Sequence, residues 1–255
     1  MLVVNSKSIL SKYIEFFTAI LYPPTCPGCK TRVSSWGTMC ANCWNNLQFI
    51  TKPYCPILGT PFAYDMGDGF LSGEAIQGSY LVSRVRSAVV HKGLARSLIV
   101  RLKYGDRIEL ARFMADWMMF AGRDMIDDCD IIIPIPLHSR RFFWRRYNQS
   151  AELARYIAKK QDKPFKPGWL FRCRYTRPQV GLSATERKKN LHNAFQIPDK
   201  FKQSIKDCSV LLVDDVLTTG VTVSAAATIL KQAGARQVDV LTFSRVLKDN
   251  TVFNS

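Results

Sequence analysis

The chain is short of acid. Its 255 residues hold 20 Asp and Glu against 36 Lys and Arg, giving a formal net charge of +16 and a pI near 9.7. That balance disfavours strongly basic partners. It suits a phosphorylated substrate, a nucleic acid or an anionic membrane surface, without choosing between them. The N-terminal apolar stretch, Ile9 to Tyr22, carries Lys12 and Glu15. It falls short of the roughly 20 apolar residues that span a bilayer. A small-residue cleavage site is also missing, which argues against a secretory signal. Residues 1–24 are therefore expected to form an amphipathic helix ended by Pro23 and Pro24, packed on protein. The chain is expected to be cytoplasmic, with no integral membrane segment. At 47% apolar and 22% charged residues the composition is that of a soluble globular protein. The length allows one α/β domain and a small module.

Eight cysteines are present. Cys26 and Cys29 form one C-x-x-C pair, Cys40 and Cys43 another, with ten residues between the pairs. Pro27 and Gly28 suit the tight knuckle that aims two sulfurs at one metal. This is the spacing of a four-cysteine zinc site, placed in a module over residues 25–62. The alternative is a redox C-x-x-C, against which two pairs at this spacing argue. So short a segment cannot bury a core of its own, so the metal would supply folding energy. Cys129, Cys173 and Cys208 lie beside predicted strands and read as ordinary buried or edge thiols.

Residues 75–248 carry an α/β pattern. Ala75–Val82 and Val85–His91 predict β-structure, Ala95–Tyr104 and Glu109–Arg123 helices, Asp130–Ile135 a strand and Gln149–Lys160 a helix. Residues 174–190 are polar and basic and read as a loop. Strands alternating with helices imply a mostly parallel sheet. The most informative stretch is 210–222, VLLVDDVLTTGVT. A short apolar strand, starting at Ser209, delivers Asp214 and Asp215 to a sheet's carboxyl end, where ligands of open α/β sheets bind. Thr218, Thr219, Gly220, Val221 and Thr222 then make a hydroxyl- and glycine-containing turn into a helix. A carboxylate pair accepts hydrogen bonds from vicinal sugar hydroxyls, and N–H groups at a helix N-terminus hold an anion. The two halves together ask for a ribose 5-phosphate. Each half alone also has a structural reading, as a charge pair at a helix N-terminus or a plain turn.

VLLVDDVLTTGVT resembles the binding motif for 5-phosphoribosyl 1-pyrophosphate (PRPP) of type I phosphoribosyltransferases. The order of CPGC, CANC, LIVRLKYGDRIELAR, IPIPLHSRRFFWRRYNQSAELAR, RYTRPQVGLSATERKKNLHNAF and 210–222 resembles the ComF (competence protein F, GntX-like) family over residues 20–246. The resemblance implies a type I phosphoribosyltransferase-like sheet flanked by helices, after a small four-cysteine zinc module. It makes Asp214 and Asp215 the sugar-binding, catalytic pair and 218–222 the 5′-phosphate loop. His138, Ser139, Arg140 and Arg141 become the pyrophosphate loop, where Arg140, Arg141 and Mg²⁺ would neutralise charge on the departing pyrophosphate. His138 reads equally as a capping or packing residue. Arg174, Gln179, Arg187 and Asn190 match a flexible loop that closes over PRPP; a merely solvated basic loop is the alternative. Lys103 and Tyr104 also match, without a defined role. One departure stands out. Family members often carry a third C-x-x-C-G where this chain has CPILG, so Cys55 faces Leu58 in the second cysteine's place.

Two functions follow from the resemblance. One is a PRPP-dependent phosphoribosyltransferase, of the glycosyltransferase class, acting in DNA uptake during natural competence (transformation). The other is a non-catalytic competence factor that binds single-stranded DNA and works with DNA-uptake proteins. For the second, Arg140, Arg141, Arg145 and Arg146, interleaved with Phe142, Phe143 and Trp144, are the candidate nucleic-acid contacts. The same run also reads as an amphipathic helix start with solvated arginines.

Overall fold

The computed structural model describes residues 23–35, 37–67, 69–78, 80–105, 107–137, 147–173 and 194–247. The expected helix over 1–24 lies outside them, apart from Pro23 and Pro24. The chain divides into two compact units, Met1–Leu47 and Gln48–Ser255. Among the described residues, no helix is long and apolar enough to cross a membrane.

In the smaller unit, Thr25 and Arg32 bridge across a tight turn, and a short helix α1 (Ala41–Asn45) follows Cys40. The larger unit opens with segment 48–62 and a second short helix, α2 (Gly73–Gln77). Strand β1 (Arg84–Val90) leads into α3 (Gly93–Tyr104), α4 (Leu110–Ala121) and α5 (Arg123–Asp128). Strand β2 (Ile131–Pro134) and α6 (Gln149–Lys160) come next, then the two-residue strands β3 (Phe171–Arg172) and β4 (Phe195–Gln196). Helix α7 (Asp199–Ile205), β5 (Ser209–Leu217), α8 (Val221–Gln232) and β6 (Gln237–Arg245) complete it.

The main sheet has the order β1-β6-β5-β2, and every neighbouring pair is parallel. A parallel sheet must be covered on both faces, and this one is. Val210, Leu212, Val238 and Val240 share a hydrophobic cluster with Val223, Ala226, Ala227 and Leu230 of α8. The alternate residues pack on the other side. Phe243 stacks on Trp117 of α4 at 5.9 Å between centroids, and a Cβ on Gly122 would come 2.7 Å from Leu241. Because all four strands run the same way, their carboxyl ends share one rim. At the opposite rim Arg84 pairs with Asp239 at 2.6 Å and with Asp128 at 2.9 Å.

Two local expectations change. Ala75–Val82 is not a strand. Ser72 caps α2 by accepting the Ala75 N–H on its Oγ, and this local bond outweighs the apolar run. The long helix expected over Glu109–Arg123 breaks at Gly122 into α4 and α5. Segment 48–62 belongs to the larger unit because it pairs with β1: Val85 N donates to Ile57 O at 2.7 Å and Ile50 N to Ala88 O at 2.9 Å. Residues 174–190 lie outside the described residues. The chain enters and leaves that stretch through the antiparallel pair β3–β4.

Candidate functional site

Strand β5 does not stop at the acids. It runs on to Leu217, and Asp214 and Asp215 lie in its carboxyl half. Asp215 is buried at 7% exposure. Its Oδ2 meets Nζ of Lys103, in the last turn of α3, at 2.9 Å. Asp214 Oδ1 accepts from Ser150 Oγ at 2.8 Å and from the Asp215 N–H at 2.9 Å. Both bonds fall on Oδ1. Burial, and then the neighbouring Asp215 charge, push the Asp214 carboxyl up to about 7, against the opposing pull of Ser150, the Asp215 amide and Lys103. A carboxylate so poised is a common mark of a functional site.

Neighbouring elements hold this arrangement. Asn148 caps α6, accepting from Ser150 N at 3.1 Å, while its Nδ2 donates to Ile135 O at 3.0 Å just past β2. Tyr147 Oη donates to Leu102 O, beside Lys103. One short stretch, Tyr147–Ser150, therefore ties together the end of α3, the end of β2 and the acid pair. Past β1, His91 Nδ1 lies 2.8 Å from Ser244 Oγ, and its N–H donates to Arg245 O at 2.7 Å. Burial, then the Lys103 charge, lower the His91 pKa, with Asp215 opposing. The His91 imidazole thus lies in the electrostatic field of the same lysine and carboxylate.

After Leu217 the loop exposes Thr218 and Thr219. Gly220 takes φ +73°, with open space where a side chain would be, and caps α8. A helix start in this position directs its first N–H groups at the loop, the general form of an anion site. One open cavity lies elsewhere. About 550 Å³ in volume, it is lined by Ile57, Leu81, Val82 and Ser83 before β1, the wrong end of the sheet for a ligand of this fold.

In the smaller unit the sulfurs of Cys26, Cys29, Cys40 and Cys43 all lie within 4.8 Å of one another, as a tetrahedral zinc with Zn–S bonds of about 2.3 Å requires. The amides of Gly28 and Cys40 each donate to Cys26 Sγ at 3.4 Å. Burial opposes ionisation of Cys26, but these and the Cys29 amide bring its pKa below the usual thiol value. Bonds from Thr31, then the Cys40 thiol, lower Cys29 to about 6. Burial and the neighbouring thiols push Cys43 up. A cation at the centre satisfies all four sulfurs, and the donor set fits zinc.

Of the residues singled out in the sequence, Asp214, Asp215 and 218–222 come together at the rim, and the four cysteines converge as a separate cluster. His138, Ser139, Arg140, Arg141, Arg145, Arg146, Arg174, Gln179, Arg187 and Asn190 lie outside the described residues. Ser150, Asn148 and His91 were not singled out, and Lys103 had no role. Lys103 carried the one available signal, a lysine in the last turn of a helix that follows a strand.

These features define a phosphoribosyltransferase-type α/β domain joined to a zinc ribbon. A family model described as phosphoribosyl transferase domain matches residues 177–250, and one described as double zinc ribbon domain matches residues 17–74. The "DNA utilization protein YhgH" of Salmonella typhimurium is 31% identical over 220 residues, 84% of this chain and 93% of that one. "Competence protein F" of Haemophilus influenzae is 28% identical over 225 residues, 86% of this chain and 90% of its own length. "Competence protein ComFC" of Bacillus subtilis is 26% identical over 201 residues, 77% and 79%. The chain belongs to the competence protein F (ComF) family.

Proposed function

We propose that the larger unit binds a ribose 5-phosphate, carried as PRPP, at the carboxyl rim of its sheet, and that it does so in the handling of DNA taken up by the cell. The observation that carries this reading is the contiguity of the Asp214–Asp215 pair with the 218–222 loop at the start of α8. The carboxylates accept from the 2′ and 3′ hydroxyls. Lys103 holds Asp215 in place through their ion pair. The hydroxyls of Thr218, Thr219 and Thr222 and the helix N-terminus hold the 5′-phosphate. Arg140 and Arg141, with His138 and Ser139, follow β2 in the sequence and are assigned to the pyrophosphate in this reading. Bound Mg²⁺ supplies further countercharge to the pyrophosphate. Arg174, Gln179, Arg187 and Asn190 serve the segment that covers the ligand and excludes water. The names of the relatives, competence and DNA utilization, support the cellular setting, and with it a cytoplasmic location.

Calorimetry of the full chain with PRPP and Mg²⁺ tests the reading. A binding heat that weakens at least about tenfold on Asp215→Asn is expected, the loss of a charged hydrogen-bond acceptor. No heat and no thermal shift would overturn it. Pyrophosphate release only when an acceptor is present marks a transferase. The net charge of +16 favours a second reading, a binder of single-stranded DNA. Its signature is steeply salt-dependent binding, untouched by Asp215→Asn and lost on charge reversal at Arg140, Arg141, Arg145 and Arg146.

A further inference from the structure

The turn around Cys55 repeats the turn around Cys26. Cys26 N donates to Thr31 O at 2.8 Å, and Cys55 N to Thr60 O at 2.8 Å. Lys30 N donates to Cys26 O at 2.9 Å, and Gly59 N to Cys55 O at 2.8 Å. Val33 N reaches Pro24 O at 3.0 Å, and Phe62 N reaches Pro53 O at 2.9 Å. Thr25 bridges Arg32 as Tyr54 bridges Pro61. Even the left-handed residue recurs, Lys30 at φ 67° and Gly59 at φ 61°. The second half of each motif matches as well. The Cys40 amide donates to Cys26 Sγ at 3.4 Å, and the Ser72 amide to Cys55 Sγ at 3.5 Å. Cys40 and Ser72 are the N-cap residues of α1 and α2, each five residues long.

Aligned on these bonds, Cys26, Cys29, Cys40 and Cys43 correspond to Cys55, Leu58, Ser72 and Ala75. Three of the four ligand positions have lost their thiol. Leu58 and Ala75 offer no donor atom, and the Ser72 hydroxyl is occupied as a cap by Ala75 N at 3.3 Å. Structural zinc sites take four protein ligands, in ribbons of this kind cysteines or histidines. The remaining sulfur, Cys55, is fully buried, and Cys55, Leu58 and Ala75 all belong to the hydrophobic cluster of the larger unit. The chain does not present donors for a metal here, although the family model covering residues 17–74 describes two zinc ribbons.

Other bonds stand in for the metal. Arg245 Nη1 donates to Leu58 O at 2.6 Å and its Nη2 to Thr60 Oγ1 at 3.1 Å. Arg86 donates to Pro56 O at 2.9 Å and lies over the Tyr54 ring. Both arginines project from the main sheet, and both are buried. Gly59 lets the turn press against β1 so closely that a Cβ there would sit 2.3 Å from Val85 O.

We propose that the chain holds a single zinc ion, in the knuckles of the smaller unit, and that residues 53–77 are a second copy of the same ribbon that has given up its metal. This copy is folded by docking on β1 and β6 through Arg86, Arg245 and the buried side chains of Cys55, Leu58 and Ala75.

Zinc analysis of the full chain purified without chelator tests this. About one zinc per chain is expected, unchanged in Cys55→Ala and lost in Cys43→Ser. A ratio near two or near zero in the unaltered chain overturns the proposal, as does a fall in zinc on Cys55→Ala. The combined variant L58C/S72C/A75C rebuilds the ligand set, and its expected ratio is about two; a folded variant that stays at one refutes the correspondence between the two motifs. Hydrogen exchange gives a readout independent of any substitution. Chelator should deprotect the amides of Cys26 and Lys30 and leave those of Cys55 and Gly59 protected. Joint loss of protection in both motifs would count as refutation.

Discussion

Lys103 Nζ and Asp215 Oδ2 are 2.9 Å apart, joining the last turn of α3 to the carboxyl third of β5. The lysine side chain is 21% exposed and the carboxylate 10%, so the pair is largely withdrawn from solvent. Removing one partner strands the other. Lys103→Met is expected to cost about 1–3 kcal/mol of stability, the penalty for an unsatisfied buried acceptor. It should also raise the His91 pKa, since the Lys103 charge now lowers it. NMR titration of the imidazole checks the second effect; an unmoved midpoint would show that the lysine does not reach His91.

Asp214 carries a pH signature. Folded, it keeps its proton up to about 7; unfolded, it loses it near the ordinary aspartate value of about 3.9. The folded state binds more protons between those values, so this group's contribution falls as pH rises through the window. Asp214→Asn should flatten that part of the stability–pH curve and raise stability near neutrality. Ser150→Ala removes a bond that favours the charged form, so it should extend the window upward. Denaturant melts from pH 4 to 8 measure both.

Two glycines with positive φ should differ in their response to alanine. At Gly220 a Cβ meets open space, so Gly220→Ala costs only backbone strain, about 1–2 kcal/mol. If residues 218–222 hold the 5′-phosphate as proposed, the same change also weakens PRPP binding. At Gly59 the Cβ would lie 2.3 Å from Val85 O, a clash with backbone on top of the strain. Gly59→Ala should lower the melting temperature by more than Gly220→Ala does. Paired thermal melts decide the order.

At the amino rim of the sheet, Arg84 faces three acids. Asp239, whose side chain is 4% exposed, accepts from both Nε and Nη2 of Arg84. Arg84→Met leaves that carboxylate buried without its cation and is expected to cost about 3–5 kcal/mol. Double substitution to Arg84→Met with Asp239→Leu should recover much of the loss, because the uncompensated charge is then gone. Chemical denaturation of the two variants provides the comparison.

What could be read in advance follows the distance along the chain. The acid pair, the threonine loop and α8 are contiguous, so strand period, turn chemistry and helix start all speak within 210–232. The four cysteines announce themselves by spacing alone. Lys103, Ser150 and His91 reach the same rim from other elements; Ser150 stands 64 positions from Asp214. No local pattern encodes that meeting, which depends on the strand order. Ala75–Val82 failed for the opposite reason. The apolar run was visible, but a single serine hydroxyl capping α2 outweighed it. Of the second ribbon the sequence shows only the altered pair CPILG at Cys55 and Leu58, because the rest of the repetition lies in backbone hydrogen bonds.

The bonds at Ile135 act as a tether post. Ile135 N donates to Val213 O at 2.9 Å, one residue before the acid pair, and Ile135 O receives Asn148 Nδ2 at 3.0 Å. Ile135 thereby fastens the end of β2 and the residue that caps α6 to one point beside Asp214. A substitution that shifts β2 would therefore be felt at the acid pair through two elements at once, the neighbouring strand and the helix that carries Ser150.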